Sequence, residues 1–189
     1  MVLPMKSPSC IAIVLFALIC AVKMAQPQAQ THKRQFEFEQ FPAEIYKGPL
    51  HIPDDLHKDE QGDWRDYNDK WVAPPGVTFA GEYYLAARSC GAGCRYYELT
   101  SLRTGEAIPE ISMFDSGEPL PKTRDGHSYL TILYYKPESR LLIAEYYLDF
   151  DGPNNTETCR QRYFVLENGK INPISKTLFF CTEDNKARQ

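Results

Sequence analysis

Cysteine is the residue type with the clearest chemistry in this sequence. Six cysteines are present, and four follow the apolar N-terminal stretch: Cys90, Cys94, Cys159 and Cys181. An even number of cysteines in an exported chain favours disulfides. A four-thiolate zinc site is the alternative, but such a site uses two closely spaced pairs, and Cys159 and Cys181 are far apart. We therefore predict two disulfides, with no metal and no cofactor.

The spacing of the first two cysteines bears on which residues pair, since four cysteines allow three pairings. Residues four apart in an extended strand are about 13 Å apart, whereas a disulfide needs Cα atoms within about 4.4–6.8 Å. Cys90 and Cys94 can bridge only if the chain reverses between them. Gly91 and Gly93 permit this, because glycine accepts a positive φ. The glycines favour a hairpin tip closed by Cys90–Cys94, with the other two cysteines paired to each other.

Histidines and carboxylates form weaker patterns. Segment 51–57 contains two imidazoles and two carboxylates, which are metal-binding types. Pro53 prevents a helical alignment of these groups, so we interpret the segment as a solvated loop. His127 is a loop histidine with no associated nucleophile, and no G-x-S-x-G elbow is present. Acids are numerous, but no pair stands out for glycoside hydrolysis. We predict a protein that acts by binding and is not an enzyme.

The N-terminal sequence predicts export. An apolar run over residues 10–22 follows Lys6 and is broken by Lys23. Its length is typical of a signal-peptide core and short for a membrane span, which needs about 20 residues. We predict a signal peptide over residues 1–25, a periplasmic or secreted product, and no membrane span after cleavage. An uncleaved N-terminal anchor is the alternative.

Charge argues against one class of partner. The chain has a formal net charge of −4, and removal of residues 1–25 takes away two lysines and no acid. Phosphate binding needs a concentrated basic patch, and no run of lysine and arginine is present. We therefore predict that the partner is not a nucleic acid.

The composition changes at residue 76. Residues 26–75 are polar, contain several prolines and carry ten acids against six bases. We predict an irregular lead-in there, with Trp64, Tyr67 and Trp71 packed back onto the domain. Residues 76–182 are predicted to form an all-β domain, antiparallel, arranged as a meander, a sandwich or part of a propeller. Residues 183–189 are predicted to be a polar tail.

Six or seven strands are predicted in the β domain. They cover residues 77–88, 95–102, 128–135, 140–148, 159–166 and 170–174, with a short last strand at 177–181. Turns are predicted at 103–106 and 136–139, and Asn168-Gly169 predicts a type I′ hairpin. Segment 107–124 contains three prolines and is predicted to be a long loop.

Tyrosine doublets recur along the predicted strands, at residues 83–84, 96–97, 134–135 and 146–147. Because side chains alternate along a strand, each doublet places one ring on each face of the sheet. Aromatic rings at such positions usually pack in a core. A tyrosine-rich face exposed to a partner is the other interpretation. The residues predicted to contact a partner are Gly91, Gly93, Arg95, Tyr84 and Tyr97.

The block from 79 to 175 resembles a loosely defined family of uncharacterised bacterial periplasmic proteins with a Gly-Cys-Gly-x-x-Cys tip. The residues that carry the resemblance are the segment 90–94, Thr104-Gly105, Leu141-Leu142-Ile143, Tyr163 and Asn168-Gly169. Two positions depart from the pattern: Ser89 precedes the first tip cysteine, where the family often has glycine, and Arg103 precedes the Thr-Gly turn. The resemblance implies an exported β domain with a tip disulfide, and it brings no catalytic residues.

Together these features predict an exported binding protein. One hypothesis is an inhibitor or immunity protein that blocks a cationic, cell-wall-directed enzyme. Opposite charge speeds encounter, and a loop held by a disulfide loses less entropy on docking. The alternative is an envelope protein that binds a glycan or small molecule through a tyrosine-rich sheet face.

Overall fold

The computed structural model describes residues 33–91, 93–149 and 158–182. The predicted signal peptide and the predicted tail lie outside the described residues. Within them are eight strands: β1 (His57–Lys58), β2 (Trp64–Arg65), β3 (Tyr83–Gly91), β4 (Cys94–Ser101), β5 (Tyr129–Tyr134), β6 (Leu141–Leu148), β7 (Thr158–Glu167) and β8 (Lys170–Pro173). The helical elements are two 3-10 helices, Phe38–Gln40 and Pro109–Phe114. The prediction of an all-β domain is confirmed.

The strands form three antiparallel sheets in sequence order. β1 pairs with β2, β3 pairs with β4, and β5 to β8 form a four-stranded meander. Every hydrogen-bonded neighbour is therefore also a neighbour in sequence, which antiparallel hairpins allow because their connections can be short. Among the described residues, no helix is long and apolar enough to cross a membrane.

The main core lies between the β3–β4 hairpin and the four-stranded sheet. Leu85 and Leu99 of the hairpin pack in one cluster with Leu142 and Phe164 of the sheet. Phe114 meets Phe164 edge-on, with ring centroids 5.0 Å apart. Burial of each such side chain stabilises the fold by about 1.5–3 kcal/mol. The two sheets are held together by this apolar layer.

The opposite face of the four-stranded sheet is covered by the chain termini of the described region. Phe38 is buried against Tyr163 and Leu141, and Phe36 meets Tyr163 edge-on at 5.3 Å. The Ser139 hydroxyl donates to the Phe38 carbonyl at 2.8 Å and fixes this segment to the β5–β6 turn. Part of the predicted irregular lead-in is thus packed as a cover of the sheet.

The outer face of the β3–β4 hairpin is covered by a later part of the lead-in. Leu56, Trp64 and Val72 pack in one cluster with Tyr84 of β3. The predicted packing of Trp64 is confirmed. For Tyr67 and Trp71 the prediction is wrong, because the first is 59% exposed and the second 63% exposed.

Both faces of the β3–β4 hairpin are covered by other parts of the chain, so the rings of its two tyrosine doublets are largely removed from solvent. Tyr97 belongs to the main core and is 4% exposed, and Tyr84 lies under the lead-in and is 7% exposed. The expectation that these two rings lie on a partner-binding surface is therefore wrong in this structure. A doublet sends its rings to opposite faces, and here each face has its own apolar cover.

The first predicted strand begins later than expected. Ala80 and Gly81 have positive φ values of 47° and 82°, so the chain turns sharply before β3. Their amides donate to the carbonyls of Ser139 and Pro137, at 3.1 and 2.7 Å. This turn is thus bonded to the β5–β6 turn rather than to a strand ladder.

The predicted type I′ turn of the β7–β8 hairpin is confirmed. Asn168 and Gly169 have φ values of 51° and 70°, as a type I′ hairpin requires. The predicted long loop 107–124, however, contains the helix Pro109–Phe114, which buries Ile111 and Phe114. Proline suits the first helical position because that amide would be unpaired anyway.

The predicted last strand at 177–181 is reduced to a single bridge. Leu178 exchanges two backbone hydrogen bonds with Gln161 of β7, at 3.0 and 2.8 Å. The segment therefore runs beside β7 at one point only and adds no ninth strand among the described residues.

Candidate functional site

The β3–β4 hairpin ends in a tip closed by a disulfide. Cys90 and Cys94 are bonded, with Cα atoms 5.1 Å apart, and their pairing confirms the prediction. Gly91 and Gly93 have φ values of 138° and 73°. Residues that carry a side chain rarely adopt these backbone conformations, so the chain reversal needs glycine at both positions. Arg95 exchanges two backbone hydrogen bonds with Ser116, each 2.7 Å long, which fixes the base of the tip.

A second loop lies beside the tip and is closed by the Asp66 side chain. One carboxylate oxygen of Asp66 accepts from the amides of Asn68 and Lys70, at 2.9 and 3.0 Å. Asp66 is only 3% exposed. An aspartate that satisfies nearby amides in this way holds a loop in one conformation.

Two contacts join this loop to the hairpin. The Lys70 ammonium donates to the Ser89 carbonyl at 2.9 Å. The Tyr67 and Tyr96 hydroxyls are hydrogen-bonded to each other at 2.8 Å. Burial, and then the bond to Tyr67, raises the pKa of Tyr96, so its hydroxyl is neutral at physiological pH. The loop and the tip therefore form one surface.

We call the group formed by Tyr67, Trp71, Tyr96, Gly91 and Gly93 the tip surface. Its two exposed rings are Tyr67 and Trp71. Large exposed aromatic residues are enriched at the centres of protein interfaces. The sequence-based prediction was that both rings pack back onto the domain. The signal it passed over was two large rings in a short acidic segment that has no strand periodicity.

The segment that carries the two rings is acidic. Residues 54–71 contain seven acids, against three bases, Lys58, Arg65 and Lys70. Arg65 pairs with Asp59 at 2.8 Å, and this partner lowers the pKa of the Asp59 carboxyl. The remaining acids outnumber the bases, so the surroundings of the tip surface are negative at neutral pH.

Two arginines of the hairpin have different surroundings. Arg88 is 6% exposed and is held between Glu98, at 2.9 Å, and Asp55, at 3.2 Å. This pairing also fixes the acidic segment against β3. Arg95 lines a cleft of 270 Å³ beside Tyr97, and within the described part of the chain it has no ion pair. Its predicted contact with a partner stays a prediction, as do those of Gly91 and Gly93.

The second disulfide lies against a buried polar cluster on the four-stranded sheet. Cys159 and Cys181 are bonded, as predicted, with Cα atoms 5.5 Å apart. Glu145 is fully buried beside them, and the Tyr147 hydroxyl donates to its carboxylate at 2.8 Å. Gln161 is also fully buried and accepts the amide of Thr182 at 3.1 Å.

This cluster is the one place in the described residues where three residues of metal-binding types converge. One ligand atom each from Glu145, Cys159 and Cys181 lies within 4.8 Å of the others. Both sulfurs are held in the disulfide, so they are not available as the thiolates that bind metals. The segment 51–57 does not gather its histidines and carboxylates into such a group.

His127 is exposed but has acidic neighbours. Its Nδ1 atom lies 2.5 Å from the Asp149 carboxylate, and its Nε2 atom lies 3.8 Å from Asp125. Arg160 binds Asp125 through two contacts, at 3.1 and 2.6 Å. Arg160 lowers the pKa of Asp125, and His127 lowers that of Asp149. These contacts tie the loop before β5 to β6 and β7.

No family model, curated protein or solved structure matches this chain. The resemblance to the family with the Gly-Cys-Gly-x-x-Cys tip therefore stays a prediction.

Proposed function

We propose that this protein is an exported binding domain that contacts another protein through the tip surface. The partner would be cationic, as expected if the domain is an inhibitor or immunity protein directed at a cell-wall enzyme. One observation carries the proposal: Tyr67 and Trp71 are more than half exposed on a loop that is bonded to a disulfide-closed hairpin.

Pre-organisation supports a binding role for these rings. Ordering a side chain on docking costs about 0.5–1.5 kcal/mol, and flexible loops add to that cost. Here the loop is already closed by Asp66, and the neighbouring tip is closed by Cys90–Cys94. Tyrosine and tryptophan present large contact areas with few rotatable bonds. The surface can therefore dock with little further ordering.

Charge supports the choice of a cationic partner. The acidic residues of segment 54–71 flank the tip surface, and complementary charge increases the rate of association. Four of these acids are exposed to solvent, namely Asp54, Glu60, Asp63 and Asp69. Arg95 supplies a positive charge nearby that has no ion pair among the described residues, and it would orient the complex by pairing with a carboxylate of the partner.

The structure offers support for export, but not for one particular location outside the cytoplasm. Two disulfides are compatible with an oxidising compartment. Location in the periplasm or as a secreted protein is part of the proposal, because the residues that would direct it lie outside the described range.

The test uses purified cationic cell-wall hydrolases of the lysozyme and amidase types. Binding of the disulfide-bonded protein is measured by biolayer interferometry, and enzyme inhibition is measured in parallel. The double variant Tyr67→Ala/Trp71→Ala is expected to bind at least about 10-fold more weakly, since aromatic hot spots contribute about 2 kcal/mol or more. Raising the salt to about 0.2 M should slow association.

Phe179→Ala is the matched control, because Phe179 is 79% exposed but belongs to the C-terminal segment. It should bind like the unmodified protein. The proposal fails if no hydrolase of either type is bound at low salt, or if the Phe179 variant weakens binding as much as the double variant.

A further inference from the structure

A second cleft lies at the other end of the hairpin from the tip. It has a volume of 530 Å³ and is formed where the turn before β3 faces the β7–β8 hairpin. Its polar and aromatic lining residues are Glu82, Tyr83, Arg140, Glu167 and Asn168. Tyr83 begins β3 and Gly91 ends it, so the strand rise places this cleft about 25 Å from the tip surface.

The charges that line this cleft are balanced. Arg140 pairs with Glu167 at 3.0 Å. Glu82 pairs with Arg103 at 2.6 Å and also accepts the Ser101 hydroxyl at 3.2 Å. Each carboxylate therefore has a guanidinium partner, and neither needs an added ion. A lining of this kind favours a neutral polar ligand over a charged one, because a charged ligand would meet both signs at short range.

The remaining polar groups suit hydroxyl recognition. Tyr83 is half-buried against the main core, and burial raises the pKa of its hydroxyl, which is therefore protonated at neutral pH and can donate. The Asn168 side chain makes no hydrogen bond with the described residues and is exposed at the cleft. An amide side chain offers both donors and acceptors. An aromatic ring beside such groups supplies the apolar surface that a sugar ring can cover.

The cleft is also built from fixed backbone. Asn168 and Gly169 form the type I′ turn, and Ala80 and Gly81 form the turn bonded to the β5–β6 connection. The Leu166 amide donates to the Arg140 carbonyl at 3.0 Å, which fixes the β7 side of the cleft to the residue that follows the β5–β6 turn. A preformed cavity of about 300–1,000 Å³ is typical of small-ligand sites.

We propose that this cleft is a saccharide-binding site that takes a short, neutral sugar. A neutral sugar is the ligand class that fits the balanced charges, the unpaired side-chain amide of Asn168 and the partly exposed ring of Tyr83. The site is separate from the tip surface, so the protein would hold a glycan at one end of the hairpin and a protein partner at the other.

The test is a titration of the ¹⁵N-labelled, disulfide-bonded protein with neutral disaccharides, namely cellobiose, maltose and di-N-acetylchitobiose. At least one is expected to shift amide signals of residues 81–83 and 167–170, with saturation at millimolar sugar. Asn168→Gly keeps the positive φ of the turn while it removes the amide, and it should weaken binding about 3- to 10-fold, the value of one hydrogen bond. Asn172→Ala, on β8 and outside the cleft lining, is the matched control and should bind normally.

Three results would overturn the proposal. The first is the absence of shifts with all three sugars at millimolar concentrations. The second is a set of shifts centred on residues 66–71 instead of the cleft. The third is equal or tighter binding of an anionic disaccharide that contains glucuronic acid, because the balanced charges of Glu82, Arg103, Arg140 and Glu167 exclude that preference.

Discussion

The two disulfides of this protein have the same chemistry in opposite surroundings. Cys90–Cys94 spans four positions at an exposed hairpin tip, whereas Cys159–Cys181 spans 22 positions and lies against the fully buried Glu145. The first shapes a surface loop. The second holds the C-terminal segment over a sheet face. A disulfide that closes a short exposed loop thus shapes a surface, whereas one that closes a longer loop over a sheet holds a segment against buried residues.

The Cys159–Cys181 disulfide should contribute more to the free energy of unfolding than the Cys90–Cys94 disulfide. In the chain-entropy model, cross-linking a loop of 22 residues stabilises by about 3 kcal/mol, and a loop of four by about 2 kcal/mol. Loss of the Cys159–Cys181 cross-link would also release the segment whose Thr182 amide satisfies Gln161. Loss of the tip disulfide opens no core cluster.

The largest expected effect is therefore in the double variant Cys159→Ala/Cys181→Ala. It should lose about 3 kcal/mol or more of unfolding free energy, because loop entropy and burial of the polar cluster are lost together. Urea unfolding followed by circular dichroism measures this. A loss no larger than that of the tip variant would break the comparison.

The tip variant Cys90→Ala/Cys94→Ala should lose about 2 kcal/mol or less. The loss of binding free energy for the partner should exceed this loss of stability, because the tip would no longer be held in one conformation for docking. Unfolding free energy and biolayer affinity are compared on the same sample. Full affinity in a folded tip variant would remove the tip from the proposed interface.

The smallest effect at neutral pH concerns three tyrosines of β5 and β6. Burial raises the pKa of Tyr134 and of Tyr146 to about 12, and burial and the bond to Glu145 raise the pKa of Tyr147. The folded protein therefore holds these protons more tightly than the unfolded chain, whose tyrosines ionise near pH ~10. The contribution of these tyrosines to stability should be constant between neutral pH and pH ~10 and should be lost as the pH rises toward ~12.

Urea unfolding at a series of alkaline pH values, with tyrosinate absorbance recorded in parallel, measures this effect. Tyr147→Phe removes one of the three ionising groups, so its stability should depend less steeply on pH in this range. A constant unfolding free energy through the whole range would show that these phenols are not shielded in the folded state.

The sequence by itself determined the local features. The all-β class, the Cys90–Cys94 bridge and the Asn168-Gly169 turn follow from alternation, spacing and glycine chemistry, which act over a few residues. Once the first pair was assigned, the second disulfide followed by elimination. These predictions held because no distant part of the chain competes with them.

Only the tertiary structure decided which faces are covered. Tyr84 and Tyr97 are buried, and Tyr67 and Trp71 are exposed, because an irregular segment folds over the hairpin and holds its own turn outward. The lead-in lacks periodicity, so no local rule indicates where it will lie. Burial of Glu145 likewise depends on which segments meet over one sheet face. Contacts between distant segments depend on the whole chain, and a sequence pattern records them only where one element has a regular period.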